Sequence, residues 1–224
     1  MSFFEKLRSA KRLIQFVAEL YSNNALQQDI QRKWHKRNLN NFTTINISGI
    51  QMLPDDITVG NYTYGKLNIT VFNEKSHGLH IGHFCSIADG NRFLLGGSHD
   101  YHRFSTYPFK AMFLSQDEDA PQDPILIEDD VWIGENVTIF PGIVLRRGTI
   151  VAAGSIVTKS SEPYSIIGGI PAKLIKHRFL PPIIQKLNLI DYSKLTPDII
   201  KGEMSLLYQS ITEDNVDDIV KRLQ

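Results

Sequence analysis

Along the middle of the chain apolar side chains return every six residues, at Ile127, Ile133, Ile139, Leu145, Val151 and Val157. Neither a helix, with its period of 3.6, nor an alternating strand, with its period of 2, generates that spacing. A parallel β-helix does, because each triangular coil takes about three hexapeptides, one per face, and stacks one aliphatic side chain from each on the next coil. Val131, Val137 and Ile143, four places beyond three of these positions, continue the pattern at the corners. Gly134, Gly148 and Gly154 are expected where the backbone turns, and Trp132 and Arg146 are expected outside.

A less regular array precedes this one. It opens at Val59-Gly60 and places Ile81, Ile87 and Phe93 six apart within IGHFCSIADGNRF. Residues 98–124 interrupt the two arrays with HDYHRFSTYPF and the acidic SQDEDAPQDP, and are expected to project from one corner as a functional loop. At the N-terminus Phe3, Leu7, Ala10, Ile14, Val17 and Tyr21 alternate by four and three, which predicts an amphipathic helical segment within residues 1–40. Its other face carries Lys6, Arg8, Lys11 and Arg12, so packing on the body and peripheral contact with a membrane surface are both readings of it. After Pro171 the repeats end. Helical spacing at Ile183, Ile184 and Leu187 and at Val216, Ile219, Val220 and Leu223 predicts helices over residues 179–224 that cap the open end of the coil stack, leaving the β-helix itself to residues 41–178.

Composition narrows the function. Of 224 residues, 24 are Lys or Arg and 24 are Asp or Glu, so no global basic field directs the chain to nucleic acid, and an anionic ligand needs a local cluster. The single cysteine, Cys85, has no internal partner, and charges interrupt any N-terminal apolar run, which together lead us to expect a soluble, cytoplasmic protein. Five N-x-S/T sequons are then turn residues and not glycosylation sites.

The array, IGHFCSIADG, the following GGSHD, the FSTYPF loop, DDVWIG and GGIPAKLIKHRF together resemble the hexapeptide-repeat acyltransferases of the xenobiotic, chloramphenicol- and streptogramin-type, acetyltransferase family. The resemblance covers about residues 55–190. It implies a left-handed parallel β-helix, a homotrimer, acetyl-CoA as donor and an active site between subunits, and we expect no metal, because the histidine spacings do not form a zinc site.

Acetyl transfer to a hydroxyl needs a base for the hydroxyl proton, and histidine suits that task near neutral pH. His99, directly after Gly96-Gly97-Ser98, matches the family's catalytic histidine; without that context it reads as a surface loop residue. Asp100 is a candidate to orient its ring. Cys85 offers a covalent acyl carrier or, at a small-residue position of a coil, an inert buried thiol; the second reading favours direct transfer in a ternary complex. Small residues at Gly142, Ala152, Ala153 and Gly154 leave room for a pantetheine arm, and the resemblance places Trp132 beside it, a residue that alone reads as an exposed aromatic. Lys159, Lys173, Lys176 and Arg178 are candidates for the CoA phosphates or plain charges of an end cap, with Lys159 and Lys173 matching family motifs. Tyr101, Arg103 and Tyr107 are candidates to bind a saccharide or antibiotic-like acceptor. Two rival classes remain at this stage: a non-catalytic β-helix scaffold, and a zinc enzyme like carbonic anhydrase using His77, His80, His83, His99 and His102, whose spacings do not reproduce that arrangement.

Overall fold

The computed structural model describes residues 24–49, 55–72, 78–116 and 123–224. The apolar positions of the N-terminal segment from Phe3 to Tyr21, and His77 with Asp117, Glu118 and Asp119, lie outside the described residues.

Short parallel strands stack into a β-helix. They are β1 (Phe42–Gly49), β2 (Ile57–Val59), β3 (Tyr64–Val71), β4 (Leu79–Ile81), β5 (Ser86–Ile87) and β6 (Arg92–Leu95), then β7 (Ile125–Ile127), β8 (Trp132–Ile133), β9 (Thr138–Ile139), β10 (Val144–Leu145), β11 (Ile150–Val151) and β12 (Ile156–Val157). Trp132 pairs with Ile150, Thr138 with Ile156, and Leu126 with Val144, so three faces each recur after 18 residues, or three hexapeptides. One coil earlier the partners Ser86–Trp132, Arg92–Thr138 and His80–Leu126 are 46 residues apart, because the projecting loop is inserted there. Each six-residue aliphatic from Ile127 to Val157 is buried, as are Val131, Val137 and Ile143, which puts the predicted register in the core. Trp132 and Arg146 are exposed. Removing one inward methylene cluster, as in Ile139→Ala, is expected to cost about 2–5 kcal/mol.

The turns obey the same period. Three residues after each inward aliphatic the backbone enters the left-handed region, at Phe84, Gly90, Asp130, Asn136, Gly142, Gly148 and Gly154. Gly, Asn and Asp tolerate that conformation best, which explains six of the seven identities and leaves Phe84 as the exception. Gly134 is different. It is not at a left-handed position, and a Cβ there would come within 2.7 Å of the Ala153 nitrogen, so it serves the close approach of adjacent coils.

A first coil precedes the hexapeptide array. β1 pairs in register with β3 over eight residues and buries Ile45 and Ile47. Its outer edge is covered by helix α1, residues 24–37, whose Ile30 and Trp34 enter the same core. Gln27 and Gln31 donate to the carbonyls of Ile47 and Ile45, and Trp34 Nε1 donates to Thr43 Oγ1 at 3.1 Å. Side chains thereby close a strand edge that would otherwise expose unpaired backbone groups.

After β12 the chain forms the antiparallel hairpin β13 (Ser165–Gly169) and β14 (Ala172–His177), followed by α3 (Pro181–Leu187), a 3-10 turn at Tyr192–Lys194, α4 (Pro197–Gly202), α5 (Met204–Leu207) and α6 (Val216–Leu223). These helices have their own core around Leu187, Ile190, Leu206, Val216 and Ile219. These helices pack against one corner of the stack, the ladder of turns at Phe84, Asp130, Gly148 and Tyr164. The cause is polar as well as apolar: Arg147 donates to the carbonyls of Asn188 and Ile190 from that corner, and its partner Asp129 holds it at 2.9 Å. No helix among the described residues is long and apolar enough to cross a membrane.

Candidate active site

Three corners run along the β-helix, and the candidate residues divide among them. The first corner carries Phe84, Asp130, Gly148 and Tyr164 under the C-terminal helices. A second carries Gly90, Asn136 and Gly154, laddered by Asn136 N–H to Asp89 O at 3.1 Å and Gly154 N–H to Glu135 O at 2.7 Å. The third follows β6, β9 and β12. There β6 ends in Gly96 and Gly97, both left-handed, which turn the chain outward into the loop, and the loop returns at Asp123, whose carbonyl accepts the Gly142 N–H at 2.9 Å.

His99 is therefore held at the root of the loop on the third corner, exposed to solvent. A niche of about 20 Å³ gathers His99, Arg103 and Tyr107 with Ser98, Ser105 and Thr106. That volume admits about one water molecule, the size of a hydroxyl group. Asp100 is committed elsewhere: its carboxylate accepts from His102 N–H at 3.0 Å and Arg103 Nε at 3.1 Å. Those bonds, the His102 amide first, hold its pKa below the usual carboxylate value. No hydrogen bond reaches the His99 ring among the described residues, and Asp100 holds Arg103 instead of His99. Tyr101 stands outside the niche, its ring tilted against that of His102 with centroids 4.3 Å apart. Ser98, Ser105 and Thr106 escaped the sequence reading, since loop hydroxyls carry no spacing signal; Ser105 Oγ accepts from the Tyr107 N–H at 3.1 Å.

The remaining candidates fall into three groups. Gly142 and Lys159 share the third corner, Lys159 standing one coil beyond Pro141. Trp132, Ala152 and Ala153 lie on the face that ends in the second corner, where a Cβ on Gly154 would meet nothing within 4 Å. Lys173 joins them through the pairing of Gly168 with Lys173, because Gly168 lies against Ala152. Trp132 is 53% exposed, so its indole is offered to a ligand or a neighbour and not to the core. Lys159 and Lys173 are exposed and make no ion pair among the described residues. Arg178 belongs to the first corner. It donates to Asp130 Oδ2 at 3.1 Å and to the Gly148 carbonyl at 2.8 Å, and lies over the Tyr164 and Phe179 rings.

Cys85 is fully buried and donates to the Glu128 carbonyl at 3.2 Å. Burial, opposed by hydrogen bonds from Val131 and Thr63, pushes its thiol up to about 12, which removes the thiolate an acyl carrier would need. His80 and His83 are also engaged on the coil surface, with Thr58 Oγ1 and the Asn61 N–H respectively.

Stacked hexapeptide coils with an exposed histidine at the root of an inserted loop define a hexapeptide-repeat β-helix protein. Comparison with known proteins agrees. A profile of the hexapeptide repeat of succinyl-transferase matches residues 124–159. A chloramphenicol acetyltransferase from Morganella morganii is 36% identical over 183 residues, 71% of this chain and 86% of its own. A virginiamycin A acetyltransferase from Staphylococcus aureus is 39% identical over 57% of this chain and 65% of its own, so the match spans slightly less than two thirds of that relative. Among solved structures, a hexapeptide-repeat acetyltransferase of Vibrio cholerae complexed with acetyl-CoA superposes with a TM-score of 0.51 at 23% identity, covering 70% of this chain and 86% of that one, a likeness of fold. The chain belongs to the hexapeptide-repeat acetyltransferases of the chloramphenicol and streptogramin type.

Proposed function

We propose that this protein is an acetyl-CoA-dependent O-acetyltransferase that works as a homotrimer with the family's left-handed coil. His99 takes the proton of an acceptor hydroxyl as its oxygen attacks the thioester carbonyl; the thioester bond breaks, and CoA leaves as the thiol. Transfer is direct, in a ternary complex, because the one cysteine is buried and protonated. The observation that carries the reading is the placement of His99 at the root of the inserted loop, within a chain 36% identical to an acetyltransferase over most of that relative's length.

Support for an intersubunit site comes from the division of the candidates. His99, Arg103 and Tyr107 sit on the third corner, whereas Trp132, Ala152, Ala153 and Lys173 sit toward the second. A neighbouring copy that brings its second corner to this third corner completes the set, with Gly142 and Lys159 lining the near wall. The loop supplies a reason for copies to associate. Its helix α2, Phe109–Leu114, is six residues long and buries none of them, too little to persist alone. Phe104 and Phe113 are 103% and 72% exposed. Such a run of apolar surface needs a cover, and another subunit provides one.

On this reading Trp132 and the small residues hold the pantetheine arm, and Lys159 and Lys173 meet the phosphates. Arg178 is left out, since Asp130 and Gly148 already engage it. The acceptor presents its hydroxyl in the niche beside His99, with Arg103 and Tyr107 on an antibiotic-like or saccharide body. The test is release of CoA thiol from acetyl-CoA in the presence of a panel of hydroxyl-bearing antibiotics and saccharides, with chain mass measured in solution. Turnover by a trimer supports the proposal; a well-folded monomer that binds no acetyl-CoA makes the scaffold reading the better one.

A further inference from the structure

His99 is exposed, and among the described residues no hydrogen bond holds its ring, so its place depends on the backbone at the root of the loop. A reacting group displaced by about 1 Å can lose about 10²-fold in rate, so that root needs a support. Gly96 and Gly97 form it, with φ of +82° and +83°. Glycine adopts this conformation without penalty, but two in succession also give the chain its widest choice of other conformations.

The support comes from the preceding coil. Parallel pairing of β3 with β6 runs from Asn68–Arg92 to Val71–Leu95, which brings the next residue, Phe72, level with Gly96. The Phe72 N–H donates to the Leu95 carbonyl at 3.0 Å and fixes its backbone there. Its ring then lies on Gly97. A Cβ built on that glycine would stand 2.8, 2.7 and 3.1 Å from Cγ, Cδ2 and Cε2, three consecutive atoms of the ring. The ring thus fills the space of the missing side chain and opposes any swing of the turn toward it. Val71 points into the core and is 3% exposed, whereas Phe72 is 51% exposed and outside the core cluster, so core packing does not account for an aromatic at this place.

We infer that Phe72 is a positioning residue for the base: its ring braces Gly97 and, two residues on, sets where the His99 imidazole stands against the acceptor hydroxyl. The inference rests on His99 being the base, as proposed above. Phe72 carries no group that could move a proton, so it acts through His99.

The test is a double-mutant cycle on the full chain with Phe72→Ala, His99→Ala and the pair, followed by CoA thiol release with the fastest acceptor of the antibiotic and saccharide panel. Phe72→Ala should lower kcat about tenfold to a hundredfold, with KM for acetyl-CoA and oligomeric mass unchanged. In the His99→Ala background it should have no further effect. Phe72→Tyr keeps the ring at the contact and should recover most of the rate. A reading that needs no acceptor comes from NMR of protein labelled at the histidine Cε1. There the His99 resonance, assigned by its loss in His99→Ala, should shift or broaden in Phe72→Ala while those of His80 and His83 stay in place. An unchanged kcat, a loss that persists in the His99→Ala background, a rise in acceptor KM alone, or an unmoved His99 resonance would overturn the inference and leave the base assignment standing. Turnover retained by His99→Ala alone would instead remove the base, and the role of Phe72 with it.

Discussion

Two glycines of the coil, Gly148 and Gly154, adopt nearly the same backbone conformation, with φ of +66° and +71°, but face different surroundings. Alanine at either position meets the left-handed penalty, about 1–2 kcal/mol. At Gly154 nothing lies within 4 Å of the added methyl, so that penalty is the whole expected cost. At Gly148 the methyl carbon would stand 2.3 Å from a ring carbon of Tyr164, far inside the roughly 3.5–4.0 Å of normal contact. Withdrawal of the ring is opposed by Phe179, packed on it with centroids 5.7 Å apart, and by the Arg178 guanidinium lying over it. Forced overlap of this kind adds about 1–3 kcal/mol, so Gly148→Ala should cost about 2–5 kcal/mol in total. The assay is urea unfolding at fixed chain concentration, comparing Gly148→Ala and Gly154→Ala in the natural protein and in a Tyr164→Ala background. The cost of Gly148→Ala should fall to that of Gly154→Ala once the ring is gone, a coupling of about 1–3 kcal/mol. Equal costs in the natural protein, or no coupling, would refute the assignment of Gly148 to the close approach of Tyr164.

Cys85 titrates at 9.0 unperturbed and at about 12 in the fold, so the native state keeps its proton where the unfolded chain loses it. Its contribution is complete below pH 9 and falls by about 1.4 kcal/mol per pH unit from there toward 12; unfolding of Cys85→Ala followed against pH should show a shallower decline over that window. Gln31→Ala removes the side chain that closes the edge of β1, and thermal unfolding should report a loss of about 1–3 kcal/mol with proteolysis appearing first near residues 24–49. Lys159→Ala and Lys173→Ala should each weaken acetyl-CoA several-fold in calorimetry, steeply dependent on salt, while Lys186→Ala, whose partner is Asp217, leaves that affinity unchanged. Asp100→Asn should retain most turnover while raising KM for the acceptor through Arg103, in contrast to loss of the base itself.

The six-residue period was legible because one physical demand, an aliphatic pointing inward on every face, repeats without interruption from Ile127 to Val157. The turn code was present at the same period, in Asp130, Asn136, Gly142, Gly148 and Gly154, but attention to glycine alone picked out Gly134, which serves packing instead. The first coil was harder to see. In β1 the inward residues alternate as in any strand, and its closure depends on Gln27 and Gln31, whose contacts 14 to 20 positions away leave no mark on local pattern. The C-terminal helices showed their apolar spacing but not their destination, which is set by Arg147 reaching Asn188 and Ile190 across about 40 positions. At the site, GGSHD located His99 through resemblance, and proximity in sequence misled at Asp100, whose bonds go forward along the chain and not back to the histidine. Lysines matching the motifs emerged exposed and available, whereas Arg178, directly after β14, is drawn into the corner by Asp130. Composition could separate neither case, because burial and partners decide them.

The measurement that bears most directly on the central claim is single-acceptor turnover of His99→Ala, made beside its affinity for acetyl-CoA and its oligomeric state. The account predicts intact assembly and donor binding with turnover reduced about 10²–10⁴-fold. A folded, donor-binding His99→Ala protein that kept most of its turnover would contradict the assignment of His99 as the base.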